Sequence, residues 1–255
     1  MKIVPIRTDK VVSGWKLYDI LDRYVKRVPD RSILAVTSKI ISICEGRIVR
    51  VDSIDKTKLI EQEADYFLSP KRSKYHTTLT ITGNILIPSA GIDESNGNGY
   101  YILWPRNPQQ TANEIRAYLY RKFRVKNAGV IITDSKTSPL RWGTTGTALA
   151  HSGFSALKSY INRPDIFGRK LKVTKSNISE ALATSAVLVM GEGNEQTPLA
   201  LIEDLSFVQF QARNPSAKEV KGLIINPKDD LYAPLLESVN WRSKKKRISE
   251  DKVSG

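Results

Sequence analysis

Gly129-Val130-Ile131-Ile132-Thr133-Asp134-Ser135 is the stretch on which the reading of this chain turns. Its first four residues form an apolar run that predicts a buried strand. Asp134 is then predicted at the strand's carboxyl end, where open α/β sheets place their ligands. Ile33-Leu34-Ala35-Val36-Thr37 has the same character and delivers Ser38 and Lys39 to its own end. After Lys39 comes a second apolar stretch, and Ile48-Val49-Arg50-Val51 reads as a further strand. Residues 78–82 and 85–87 alternate as a hairpin around Gly83-Asn84. Helical spacing aligns Leu17, Ile20, Leu21 and Tyr24, and again Ile115, Leu119 and Phe123. Pro108 with a capping box, Thr111 and Glu114, marks the start of the second of these helices. Asn177 and Glu180 open another helix to about Met190, and Thr197 begins a strand through Ile202. Strands and helices mix without a regular βαβ repeat, so the predicted class is α+β with a mixed sheet.

Composition narrows the function. A chain of 255 residues buries a full core and lies near the size at which one core splits in two. Its 40% apolar and 26% charged residues are ordinary for a globular protein. No apolar run is long enough to span a bilayer, and Met1-Lys2-Ile3-Val4-Pro5 begins no secretory signal, so no membrane partner is expected. The single cysteine, Cys44, forms no internal disulfide and fits a reducing cytoplasm. Its neighbours Ile40, Ile41 and Ile43 mark it as a buried structural thiol. His76 and His151 are far apart and give no zinc pattern.

The net charge of +14 invites a nucleic-acid reading. Its densest cluster is the carboxyl-terminal tail, where Arg242, Lys244, Lys245, Lys246, Arg247 and Lys252 face only Glu250 and Asp251. The remaining cations are spread along the body without a nucleic-acid-binding motif. A field of that sign equally steers a polyanionic nucleotide and an acidic substrate into a cleft. Nucleic acid is therefore not the expected partner, and the tail is read as a solvated extension.

Two acid-bearing loops carry the chemistry. Gly91-Ile92-Asp93-Glu94-Ser95-Asn96 and Thr133-Asp134-Ser135 bring two carboxylates and a hydroxyl, a donor set for a hard cation such as Mg2+ or Mn2+ bridging nucleotide phosphates. Taken singly, each loop also reads as an ordinary turn, since Asp and Asn favour turns.

Five blocks in one order carry a resemblance. They are Thr37-Ser38-Lys39 with Glu45-Gly46-Arg47, the stretch Ala90 to Asn96, Ile132-Thr133-Asp134, the segment Arg163-Pro164-Asp165-Ile166-Phe167-Gly168-Arg169, and Leu188-Val189-Met190-Gly191-Glu192-Gly193 before Pro198. Over most of the chain, to about Leu231, they resemble the GTP-dependent coenzyme F420-0:L-glutamate ligase family. The resemblance implies a two-subdomain ligase domain over 1–238, an intertwined homodimer, and a basic, flexible tail over 239–255. It implies addition of L-glutamate to an anionic, carboxylated acceptor such as coenzyme F420-0 through an acyl phosphate, with GTP as substrate and Mn2+ or Mg2+. A folate acceptor, or a degenerate nucleotide- or nucleic-acid-binding relative, stands as the alternative.

The same resemblance assigns residues. Asp93 and Asp134 match carboxylates of one metal and, with Arg141, form the catalytic set. Ser135 and Glu192 match ligands of a second metal. Lys10, Val11, Ser38, Lys39 and Asn96 match nucleotide contacts. Met190, Gly191, Glu192, Gly193, Asn194, Glu195, Gln196 and Thr197 match a nucleotide loop, whose glycines admit close approach of phosphate. Phosphoryl transfer to a carboxylate asks for positioning and charge neutralisation rather than a nucleophilic side chain, which agrees with the lack of a Ser-His-Asp or Cys-His pattern. Rival readings are structural: Lys39 as a solvated strand-end lysine, Asn96 as a turn residue with Gly97, Gly191 as a helix C-cap, and Asp165 with Arg169 as a pair around Gly168. The chain also departs from the family pattern. Ile43 stands where a nucleotide-contacting lysine is usual, Ser138 where an arginine is, and Gly146 where an aspartate is.

Overall fold

The computed structural model describes residues 1–70 and 74–243. In chain order the elements are β1 (Lys2–Ile6), α1 (Leu17–Tyr24), β2 (Ser32–Thr37), α2 (Ser38–Cys44), β3 (Ile48–Arg50), α3 (Lys56–Glu63) and β4 (Tyr66–Phe67). Then follow β5 (Leu79–Thr82), β6 (Ile85–Pro88), β7 (Tyr100–Ile102), α4 (Pro108–Phe123), β8 (Ala128–Thr137) and β9 (Thr144–Ser152). The last are β10 (Leu157–Ser159), β11 (Lys175–Asn177), α5 (Ile178–Met190), β12 (Leu199–Glu203), α6 (Ala217–Lys221), α7 (Ala233–Leu236) and β13 (Arg242–Ser243). The expected mixed α+β class is observed.

A five-stranded sheet in the order β1-β12-β2-β8-β9 forms the centre. Only β2 and β8 run parallel; their neighbours pair antiparallel. Both faces of the sheet are covered, which is why β2 and the first half of β8, Ala128 to Ile132, are continuous apolar runs rather than alternating ones. Leu34, Val36, Val130 and Ile132 pack under α1, α2 and α4, beside Ile20, Leu21, Ile115 and Leu119. Ile33, Ala35 and Ile131 point the other way, against Leu182, Ala183 and Ala186 of α5.

The parallel pairing of β2 with β8 ends at Thr37 opposite Thr133. Asp134, expected to end its strand, lies inside it instead. The reason is β9, which pairs with Asp134 through Thr137 and carries β8 onward as an antiparallel hairpin arm. A register shift between Ile132 and Thr133 marks the change. What stops before Asp134 is the partner β2, whose chain turns into α2. Ser38, Lys39, Asp134 and Ser135 thus follow directly on the last paired residues of the two strands.

The expected capping box of α4 is also corrected. Asn107 is the cap, its side chain accepting the Gln110 amide at 3.0 Å, with Pro108 in the first turn, where its missing N–H costs nothing. Thr111 lies inside the helix and donates to the Asn107 carbonyl at 3.1 Å. Asn177 caps α5 as expected, accepting from the Glu180 amide at 3.1 Å.

The hairpin β5–β6 forms as expected around Gly83-Asn84. It belongs to a second sheet, β13-β4-β5-β6, next to the ribbon β3–β7. These frame a third apolar cluster, including Leu59, Phe67, Ile92, Tyr101 and Leu103. The tail expected from 239 thus begins with a paired segment, Arg242–Ser243 against β4; from 244 on it lies outside the described residues. Asp165 closes a turn by accepting from the Phe167 and Arg169 amides at 2.9 Å each, so its bond is to the Arg169 backbone.

Candidate active site

A cleft of about 1200 Å³ opens at the carboxyl ends of β2 and of the parallel part of β8. Asp93, Asp134, Lys39 and Asn96 line it, as do Ser135, Glu192 and the whole loop from Met190 to Thr197. Lys10 and Val11 reach it from the segment after β1. Segments as distant in sequence as Thr8 and Pro198 therefore meet in one cleft.

The Asp93 loop is fixed from both sides. Asp93 and Ile102 exchange backbone hydrogen bonds of 3.0 and 2.7 Å, which tie the loop to the end of β7. Its carboxylate accepts from the Ser95 amide at 2.7 Å and the Ser95 hydroxyl at 3.0 Å. The Lys39 ammonium sits 2.6 Å away. Burial pushes the Asp93 carboxyl up, but Lys39 and the Ser95 donors outweigh it and hold the group below its ordinary value. Lys39 also donates to the Ser95 carbonyl at 3.1 Å, so it is a committed member of the cleft rather than a solvated strand-end lysine.

Asp134 is the opposite case. Desolvation raises its carboxyl to about 6, and repulsion from Asp93 adds to the rise, while the Trp104 indole N–H, donating to Oδ2, works against it. Two neighbouring carboxylates in one partly dry cleft attract positive charge.

The second expected acid group also assembles. Ser135 donates to Glu192 Oε1 at 2.7 Å, and Thr144 of β9 donates to the same oxygen at 3.3 Å. Asn96 donates its amide to the Gly193 carbonyl at 2.9 Å, tying the Asp93 loop to the glycine loop. That loop is internally braced: Glu195 accepts from the Gly193 amide at 2.9 Å, and the Thr197 hydroxyl donates to the Met190 carbonyl. Gly191 is indeed the C-cap of α5, and it lines the cleft as well.

Two expected residues stand apart. Ser38 is buried in the first turn of α2 and does not reach the cleft lining. Arg141 lies exposed in the connection between β8 and β9, with Ser138, and is likewise absent from the lining. Ile43 does line the cleft, so an apolar side chain stands where the resemblance leads one to expect a lysine. Cys44 is pushed up to about 11 by burial and the nearby Glu45, which removes it as a thiolate nucleophile at neutral pH. Trp104 and Thr144 were not legible as site residues. Trp104 lies 30 positions before Asp134 and carries no motif of its own.

Among the described residues, no three His, Cys, Asp or Glu side chains gather tightly enough to form a metal cage unaided. The donor set still fits a hard divalent ion. It consists of carboxylate and hydroxyl oxygens, and such ions commonly complete their shell with water and substrate phosphates. The Lys39 ammonium against Asp93 shows directly that this wall takes positive charge.

These features fit a ligase, and comparison with known proteins agrees. The family model described as F420-0:Gamma-glutamyl ligase matches residues 5–204. A coenzyme F420:L-glutamate ligase of Methanopyrus kandleri is 28% identical over 251 residues, covering 91% of this chain and 97% of the relative. Those of Archaeoglobus fulgidus and Methanocaldococcus jannaschii are both 31% identical, covering 77% and 69% of this chain and 84% and 76% of theirs. The chain is thus similar to enzymes that form carbon–nitrogen bonds. It belongs to the F420-0:gamma-glutamyl ligase family. None of its described helices is long and apolar enough to cross a membrane.

Proposed function

We propose that the chain is a nucleotide- and divalent-metal-dependent ligase that adds L-glutamate to the carboxylate of coenzyme F420-0 or a close analogue. One observation carries this reading: Asp93, Asp134, Lys39, the Ser135–Glu192 pair and the loop from Met190 to Thr197 share one cleft. GTP is the expected nucleotide, with Mn2+ or Mg2+. Asp93 and Asp134 would hold one ion, and Ser135 with Glu192 a second. Bound there, the metal supplies neutralisation of phosphate charge.

The chain's own groups account for the rest. Lys39 and Lys10 present cations to the phosphates, and the glycine loop offers backbone N–H groups. The acceptor carboxylate oxygen attacks the terminal phosphorus, and the bond to the nucleoside diphosphate breaks. The glutamate amine then attacks the acyl carbon of the resulting acyl phosphate, phosphate leaves, and the amine releases its proton. No side chain forms a covalent bond in this scheme, consistent with the raised Cys44 thiol. Two subdomains, a homodimer and a cytoplasmic setting complete the proposal. Ser138 lies exposed and outside the cleft lining, so the departure from the family pattern there leaves the Asp93–Asp134 wall untouched.

Melting the protein with Mn2+ and GTP or ATP provides the test, since a ligand selective for the native state raises the melting temperature. Asp134→Ala is expected to abolish the rise. Incubation with nucleotide, Mn2+, L-glutamate and coenzyme F420-0 or folate acceptors should yield a glutamyl adduct by mass spectrometry. A shift that survives Asp134→Ala overturns the metal assignment. Absence of adduct and of nucleotide hydrolysis across the panel overturns the ligase reading, and steeply salt-dependent nucleic-acid binding that ignores Asp134 would replace it.

A further inference from the structure

Trp104 is the residue that joins the two acid-bearing segments. Its indole N–H donates to Asp134 Oδ2. The ring lies directly against the backbone of Gly91, so closely that a Cβ on Gly91 would come within 2.1 Å of the indole nitrogen. Gly91 is two residues from Asp93, in the same loop. The main chain of Trp104 is held independently, its carbonyl accepting from Arg47 Nε at 3.1 Å. Arg47 in turn is paired with Glu63 at 2.5 Å. An indole only donates, so it engages a carboxylate oxygen without competing for the cation.

We propose that Trp104 is the positioning residue of this site: it fixes the Asp134 carboxylate through one oxygen and sets its separation from the Asp93 loop by packing on Gly91. This role rests on the ligase reading above. Partners that orient ligating carboxylates are worth roughly 10–100-fold in metal affinity.

Trp104→Phe keeps an aromatic side chain at this position but removes both the donor and the indole atoms nearest Gly91, Nε1, Cε2 and Cζ2. In the full chain with GTP, Mn2+ affinity followed by electron paramagnetic resonance should weaken by roughly 10–100-fold. The metal-free melting temperature serves as the control for folding. A second measurement covers the case in which that variant does not fold. In the unsubstituted chain, the Trp104 indole proton should exchange with solvent far more slowly than that of Trp142, which is 94% exposed. It should also shift on Asp134→Ala. Unchanged Mn2+ affinity in Trp104→Phe, or an indole proton that exchanges as fast as that of Trp142, overturns the proposal. An unsubstituted chain that binds no Mn2+ overturns the ligase reading; a protected indole would then leave Trp104 with a structural contact and no positioning role.

Discussion

Burial beside Asp93 raises the Asp134 carboxyl to about 6, and this has a consequence for stability without metal. The folded value lies above the unfolded one, so the unfolded chain releases its proton first as pH rises from about 4 to 6. Stability therefore falls through that window and stays reduced above it. Asp134→Asn keeps the acceptor for the Trp104 indole and removes the buried charge. It should raise the unfolding free energy of the metal-free protein by about 1–2 kcal/mol at pH 7.5 and have little effect near pH 3.5, as urea titrations would measure. A loss of stability at pH 7.5 would mean that the charge is well solvated. Gly91 acts in the reverse sense. Its φ of +70° and its contact with the indole exclude a side chain, so Gly91→Ala should cost about 1–3 kcal/mol. It should also weaken Mn2+ binding. A substitution that leaves both unchanged would remove the close contact from the account.

At the scale of elements, the approach of α5 to β9 sets the cleft. A Cβ on Gly146 would meet the Ala183 carbonyl oxygen at 2.5 Å and Val187 Cβ at 2.8 Å, and Thr184 donates to the Gly146 carbonyl at 2.8 Å. Only glycine lets the helix lie this near, and the helix leads straight into the loop from Met190 to Thr197. Gly146→Ala should therefore lower the urea midpoint, costing about 1–3 kcal/mol, and reduce the nucleotide-induced melting shift. A midpoint within error of the original would show that α5 moves freely.

The departure from the family's aspartate at this position was legible in the sequence; its packing reason was not. The strands β2, β12 and the first half of β8 were legible because burial on both faces leaves uninterrupted apolar runs. The second half of β8, Thr133 to Thr137, is polar and gains strand form only from β9. The stretch Ile40-Ile41-Ser42-Ile43, rich in β-branched residues, is nevertheless helical because α2 packs in the core below β2. Within the site, Asp93, Asp134, Ser135, Glu192 and Asn96 stood in recognisable local contexts. Trp104 reaches Asp134 only through tertiary contact, and Arg141 lies outside the cleft lining, in a hairpin connection that no local pattern announced.

For the molecule as a whole, acid sensitivity has an identifiable contributor. His151 is 2% exposed and packs edge-on against Phe154 at 5.4 Å. Burial pushes its imidazole down to about 4, with Glu219 opposing. The unfolded chain takes up this proton near pH 6.5 while the native chain resists, so stability is lost as pH falls from 6.5 to 4, by up to about 3 kcal/mol. His151→Gln should flatten the dependence of unfolding free energy on pH in that interval, whatever its cost in packing. The cleanest measurement uses an Asp134→Asn background, where the opposing carboxyl no longer titrates. An unchanged slope there would exclude His151 as the acid-labile group.

The strand order also bears on how the chain is made. β12, at residues 199–203, inserts between β1 and β2, both of which leave the ribosome long before it. β1 has no other partner in the central sheet, and one edge of β2 stays bare until β12 arrives. Contacts this distant in sequence form slowly, and bare strand edges recruit other chains. A nascent chain stalled before Leu199 would thus be a sticky species awaiting the strand that seals it.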